Sequence, residues 1–235
     1  MTILCGWKDP EEGSIWIGAD RRYTYGAHIG SNSAVKWRLG EDWAVGASGH
    51  PGVTECGAEL LGKERSGDVA TQVRSWAVEL RGALCARGWK CTSEGNDVPE
   101  IAASGLLVFG GSLYEVEPAS GYARAIPAGD LAAVGNGWTL CRAAWHALGS
   151  GRIGNPIGPE ERMRAALETT IALDAYCGGE PWVMRRLPIS ETWVGGDPVT
   201  CVCGAREGEF HIGICPRATV YTDLLPGAEL RTARA

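Results

Sequence analysis

Hydrophobic period switches four times along this chain, between the two-residue repeat of strands and the repeat of about 3.6 residues that marks helices. Residues 2–7 and 14–19, TILCGW and SIWIGA, are β-prone runs separated by the turn-forming KDPEEG, and they read as a hairpin. A further extended region reaches Lys36-Trp37-Arg38-Leu39, and Gly40-Glu41-Asp42 turns the chain into the strand WAVGASG at 43–49. From Val53 the period becomes helical, first in VTECGAELLGK and then over 68–88, where Val69, Val73, Trp76, Ala77, Leu80 and Leu84 share one face. The polar KCTSEGNDVPE leads to four more strand-like runs: IAASGLLVFGG, SLYEVEP, YARAIP and DLAAVGNG. Helices resume with WTLCRAAWHALGSG and PEERMRAALETTIALDAY. Pro159, Glu160 and Glu161 suit the first turn of the latter, and Gly178-Gly179 is expected to stop it. PWVMRRLPI is a last strand. This order implies antiparallel sheets with segregated helices, an α+β layered domain.

Composition shifts after about Trp193, so residues 1–193 read as the domain and 194–235 as an appendage. There VTCVCGA and FHIGICP form a hairpin around REGE, followed by a polar tail. At 235 residues the chain is long enough to bury a substantial core. A net charge of −6 without any block of Lys and Arg excludes general affinity for nucleic acid or anionic membrane. No apolar run approaches the length of about 18 residues that spans a bilayer, and no charged segment precedes an apolar one as in a secretory leader. The expected location is therefore the cytoplasm. Nine cysteines, an odd count at irregular spacing, fit buried thiols better than a disulfide framework. Ten tryptophans are many for this length, enough to supply subunit contacts as well as core.

Thr2 carries the chemistry of interest. Once Met1 is removed, which a small second residue permits, Thr2 presents a hydroxyl and a free α-amine on one residue. An α-amine titrates at about 7.7–8.0, so near neutrality it can take the hydroxyl proton directly or through a water. No longer propeptide precedes it, so unmasking falls to an aminopeptidase. Alone, Thr2 is equally an ordinary first strand residue. Asp20, at the end of an apolar strand, has a plainer reading as the ion-pair partner of Arg21 or Arg22, and Lys36 as a surface lysine.

Six motifs in order change that balance: TILCGW, GADRRYTYG at 18–26, VKWRLG at 35–40, GASG at 46–49, AAVGNG at 132–137 and LDAYCGG at 173–179. Together, over roughly residues 2–190, they resemble the proteasome β-subunit family of N-terminal-nucleophile hydrolases, including bacterial peptidases that partner unfoldase ATPases. The resemblance implies a four-layer αββα sandwich. It makes Thr2 the nucleophile and its α-amine the proton acceptor, with Asp20 and Lys36 beneath the hydroxyl and the Gly49 N–H as the oxyanion donor. Asp174, Cys177 and Gly178 fall on an Asp-x-x-Ser-Gly pattern, with Cys177 in place of serine, and Asn136 also stands where the family has serine. Aligning on Gly6 gives Thr2 the nucleophile's place, whereas aligning on Thr2-Ile3 puts Met1 there and leaves the chain inert. The resemblance further implies a homo-oligomeric ring enclosing the sites, peptide or unfolded protein as substrate, an unfoldase ATPase as candidate partner, and no cofactor.

Other readings remain beside this one. Cys5 could serve as an N-terminal nucleophile only after loss of MTIL. Gly149–Gly154 spells GxGxxG but follows a helix, so it reads as a loop. Cys201, Cys203, His211 and Cys215 are ligand types, yet C-x-C is not the knuckle spacing of structural zinc. His28, His50 and His146 lack triad spacing, although His50 follows the oxyanion glycine and can line a substrate pocket. The same fold could persist as a catalytically inactive ring-forming scaffold, with Asn136 and Cys177 as signs of lost chemistry, or act as an amide hydrolase on a small molecule.

Overall fold

In the computed structural model, which describes residues 2–25, 28–89, 103–149, 157–187 and 193–194, Asp9 closes the first hairpin. Its Oδ1 accepts from the backbone N–H of Glu11 (2.8 Å) and Glu12 (3.1 Å), while Gly13 supplies the positive φ (70°) that returns the chain. The hairpin joins β1 (Ile3–Lys8) to β2 (Ile15–Ala19) with Leu4 opposite Ala19 and Trp7 opposite Trp16. β10 (Leu131–Gly135) pairs with the other edge of β1, and β11 (Trp182–Arg186) with that of β2. β12 (Trp193–Val194) completes an antiparallel sheet of order β10-β1-β2-β11-β12. A second sheet runs through β5 (Trp37–Leu39), β6 (Trp43–Ala47), β7 (Gly105–Phe109), β8 (Ser112–Glu117) and β9 (Tyr122–Ala125) in sequence order. β3 (Tyr23–Tyr25) and β4 (His28–Ser31) form a separate two-stranded ribbon within the extended region read from the sequence.

Among the described residues four helices cover the two sheets. They are α1 (Pro51–Leu61), α2 (Val69–Ala86), α3 (Trp138–Gly149) and α4 (Pro159–Leu173). α2 starts where Asp68 accepts from the Thr71 N–H at 2.7 Å, and it buries Val73, Trp76, Ala77, Leu80 and Leu84. These pack with residues of α1, β6, β7 and β8 into one core. A second core sets Ile3, Cys5 and Trp7 of β1 against Cys141 and Trp145 of α3 and Met163 and Leu167 of α4. The third lies between the sheets, where Leu4, Ile17 and Val134 meet Trp37, Leu106 and Leu113. Three cores between successive layers give the αββα sandwich, and strand alternation sends Ile3 and Leu4 into different cores. The indole N–H of Trp37 donates to the Gly18 carbonyl at 3.2 Å, pinning one sheet to the other close to Asp20 and Lys36.

Three sequence expectations change in detail. Val69 is only partly buried, because it stands in the first turn of α2 at the margin of its core. α4 ends at Leu173, with Asp174 at its C-cap in extended conformation, so the helix stops before the glycine pair. Cys5, Cys56, Cys141 and Cys177 are buried free thiols, but Cys85, exposed near the end of α2, is disulfide-bonded. Trp7, Trp16, Trp37, Trp76, Trp145 and Trp182 are buried, so most of the tryptophan serves packing, while Trp138 remains 46% exposed. The appendage hairpin, the four ligand-type residues from Cys201 to Cys215 and the loop after Gly149 lie outside the described residues. Among the described residues no helix is long and apolar enough to cross a membrane.

Candidate active site

The site begins at the backbone of Thr2, just ahead of β1. Its carbonyl accepts from the Asn136 N–H at 2.9 Å, and the following N–H, that of Ile3, donates to Asp20 Oδ1 at 2.9 Å. Asp20 N–H returns a bond to the Ile3 carbonyl at 3.2 Å. The Thr2 side chain, in a residue only 6% exposed, donates a longer bond to Asp20 Oδ1 at 3.4 Å. Gly135, which precedes Asn136, has φ of +98°, and a Cβ there would stand 2.0 Å from the Thr2 carbonyl oxygen. Only glycine lets β10 approach Thr2 this closely.

Asp20 is fully buried and collects four donors. Lys36 Nζ forms an ion pair with Oδ1, alongside the Thr2 hydroxyl and the Ile3 N–H, while the Gly178 N–H donates to Oδ2 at 3.0 Å. A buried carboxylate is tolerable only when its lone pairs are used and a cation stands beside it. Asp20 thus pairs with Lys36 rather than joining Arg22. Arg22 reaches Asn32 Oδ1 (3.2 Å) and the Ala175 carbonyl (3.1 Å) instead. Burial pushes the Lys36 ammonium below the usual lysine value of 10.5, the neighbouring Arg22 adds to this, and Asp20 pulls in the opposite direction.

Gly178 ties the turn after α4 to the same carboxylate. Its carbonyl accepts from the N–H groups of Arg21 (2.9 Å) and Arg22 (2.8 Å), and a Cβ on it would lie 2.2 Å from Arg22 Nε. Asp174 organises that turn by accepting from the Tyr176 N–H at 2.8 Å. Cys177 is buried beside Gly137, its thiol pushed up to about 12 by burial and by the carboxylates of Asp20 and Asp174. At neutral pH it is a neutral thiol and a weak donor. Asn136 is exposed, and its backbone N–H donates to the Thr2 carbonyl.

Gly49 lies on the exposed turn between β6 and α1 with φ of +96°. Among the described residues its N–H has no acceptor within the chain. Ser48 before it is anchored to Ser104 by N–H···O (2.8 Å) and Oγ···O (3.0 Å) bonds. His50 after it accepts at Nδ1 from the Gly52 N–H at 3.0 Å, and His146 lies exposed on α3. A cavity of about 710 Å³ is lined by Ser48, Ser104, Gly135 and Asn136, the last two adjoining Thr2, and also by Glu117 and Arg124.

Among the sequence-derived residues, Thr2, Asp20 and Lys36 therefore meet directly. Asn136 joins through its backbone, Asp174 and Cys177 through the Gly178 turn. The contributions of Gly178 as an N–H donor to Asp20, and of Arg22 as the clamp over it, were not read from the sequence, where Gly178 stood only as the glycine of the Asp-x-x-Ser-Gly pattern and of the glycine pair. Among the described residues no group of His, Cys, Asp and Glu is placed to hold a metal ion.

Layer order, sheet pairing and the position of Thr2 at the head of β1 define the proteasome β-subunit-like fold of N-terminal-nucleophile hydrolases. Proteins of known structure that share it include the following two. Eukaryotic HslV from Trypanosoma brucei is 21% identical, with a TM-score of 0.56 over 79% of this chain and 98% of its own. BPH from Thiobacillus denitrificans is 18% identical, with a TM-score of 0.60 over 80% of this chain and 98% of its own. Its complex with epoxomicin, at 17% identity, gives 0.59 over the same shares. No family model matches the sequence, and no curated protein matches it.

Proposed function

We propose that this protein is a threonine peptidase whose nucleophile is the Thr2 hydroxyl, exposed when Met1 is removed. The observation that carries the reading is the convergence on one buried carboxylate, Asp20, of the Thr2 hydroxyl, the Ile3 N–H and the Lys36 ammonium. An ammonium held there lowers the proton affinity of the neighbouring hydroxyl, and the carboxylate keeps that ammonium charged and in place. In the proposed reaction the Thr2 oxygen attacks the scissile carbonyl as its proton passes to the Thr2 α-amine. The resulting oxyanion takes the free N–H of Gly49, a donor of a kind worth about 3 kcal/mol in other hydrolases. Collapse breaks the C–N bond, the leaving amine takes the proton from the α-ammonium, and water, deprotonated by the same amine, releases the acyl group from Thr2.

Asn136, Asp174 and Cys177 support this arrangement by positioning rather than by proton transfer. Peptide or unfolded protein as substrate, a homo-oligomeric ring, an unfoldase ATPase partner and a cytoplasmic location belong to the same reading, on the strength of the family resemblance. The Cys85 disulfide is the feature that pulls against a reducing compartment. In the same reading the hydrolase domain spans residues 1–193, with 194–235 as an appendage.

Two substitutions test it on a panel of fluorogenic peptides. Thr2→Ala abolishes turnover while leaving oligomer size unchanged, and Lys36→Ala lowers kcat at least about a hundredfold, as loss of an activating group does. Turnover that survives Thr2→Ala would rule out this nucleophile. An oligomer inert to every peptide would favour the scaffold, and cleavage of small amides alone would favour the small-molecule hydrolase.

A further inference from the structure

His50 has no part in the reaction above, yet it adjoins the glycine on which the oxyanion step depends. Gly49 sits between two anchored neighbours. On one side Ala47 N–H donates to Thr54 Oγ1 of α1 at 3.0 Å, and Ser48 is fastened to Ser104 by its N–H and its hydroxyl. On the other side His50, in extended conformation (φ −79°, ψ 134°), is the N-cap of α1, its Nδ1 accepting from the Gly52 N–H at 3.0 Å. The His50 ring meets Trp89 edge-on, with centroids 4.7 Å apart and planes at 72°. A Cβ on residue 52 would lie 3.1 Å from Nδ1, so a side chain there would press on the imidazole. With Nδ1 accepting, the imidazole works here as a cap in a place usually taken by Ser, Thr, Asp or Asn.

A glycine at φ of +96° has wide conformational freedom of its own, and its peptide plane can rotate unless both flanks are held. We propose that His50 is a positioning residue for the oxyanion step: by capping α1 it fixes the C-terminal flank of Gly49 and so aims the Gly49 N–H at the site. This rests on the peptidase reading. The Ser48–Ser104 anchor holds the first flank, the imidazole cap holds the second, and the intervening N–H has no acceptor among the described residues. An oxyanion donor acts through its aim at the transition state, so a loosened cap affects kcat rather than KM.

The test compares the wild-type chain with His50→Ala, which removes the acceptor, and His50→Ser, which restores a capping oxygen without the ring or its contact with Trp89. Steady-state hydrolysis of a fluorogenic peptide is measured below the unfolding temperature of every variant. Backbone hydrogen exchange of residues 47–53 is followed by mass spectrometry on the same samples. The expected result for His50→Ala is a kcat about tenfold lower, a KM within about twofold and faster exchange in this segment, with His50→Ser returning both to within about twofold of wild type. A His50→Ala protein with unchanged kcat and exchange would overturn the proposal. So would a His50→Ser protein as impaired as the alanine variant, since the ring would then act by another route. A wild-type chain that hydrolyses nothing would sink the peptidase reading and the catalytic part of this one together. Exchange in residues 47–53 would still decide whether His50 orders the turn.

Discussion

Asp20 is the residue on which the site turns, because its carboxylate is shared by a hydroxyl, two backbone N–H groups and an ammonium without access to water. Lys36 therefore titrates as a buried group. Its ammonium is lost at a lower pH than that of a free lysine, whereas Cys177, raised to about 12, keeps its proton over the same interval. A pH profile of kcat/KM should rise as the Thr2 α-amine loses its proton, near the ordinary value of about 7.7–8.0. It should fall again below pH 10.5, the unperturbed lysine value. Unfolding cannot account for that fall through Lys36. With its folded value depressed, the unfolded chain binds more protons, and the contribution of Lys36 to stability grows as pH rises toward 10.5. Cys177 has the opposite sign: its share of stability is present below 9.0 and is lost toward 12. Stability measured alongside the rates separates the two effects. An alkaline limb at or above 10.5 would contradict the placement of a buried, charged Lys36 in the mechanism.

At the scale of elements, the site is a meeting of ends: the head of β1, the end of β2, the approach to β5, the exit of β10 and the turn after α4. Gly135 is the tightest of these contacts. Gly135→Ala places a methyl group against the Thr2 carbonyl at a backbone angle hostile to L-residues, and it should cost about 2 kcal/mol or more. Thermal unfolding and loss of turnover together check this, and a fully stable, fully active variant would contradict the close β1–β10 contact at Gly135. The strands and helices themselves were legible in the sequence, since they are written in local period and turn residues: Asp9 and Gly13 for the hairpin, the Val73–Leu84 stripe for α2, and Pro159 for α4. Thr2, Asp20 and Lys36 could be named through ordered motifs. The Gly178 amide beneath Asp20 and the Arg22 clamp were not legible. Each joins segments about 150 residues apart through backbone groups that no side-chain pattern encodes. The His50 cap was missed for a different reason, because a histidine can take the place of a more common capping residue only when its ring is turned by its neighbours.

At the scale of the molecule, two sheets back to back between helical layers leave one end of the sandwich for chemistry, and the buried Thr2 there has its backbone fixed on both sides. What decides whether this architecture works as a peptidase is the state of the chain ahead of Thr2. A free α-amine makes Thr2 both nucleophile and base. A retained methionine removes the base and leaves the same fold as a scaffold. The direct measurement is the intact mass of the purified full chain before and after incubation with epoxomicin, the compound found in complex with BPH. The expected masses are those of a chain beginning at Thr2 and of that chain plus one inhibitor, with fragmentation placing the addition on residue 2. A chain that keeps Met1 and takes up no inhibitor would contradict the assignment of Thr2 as the nucleophile.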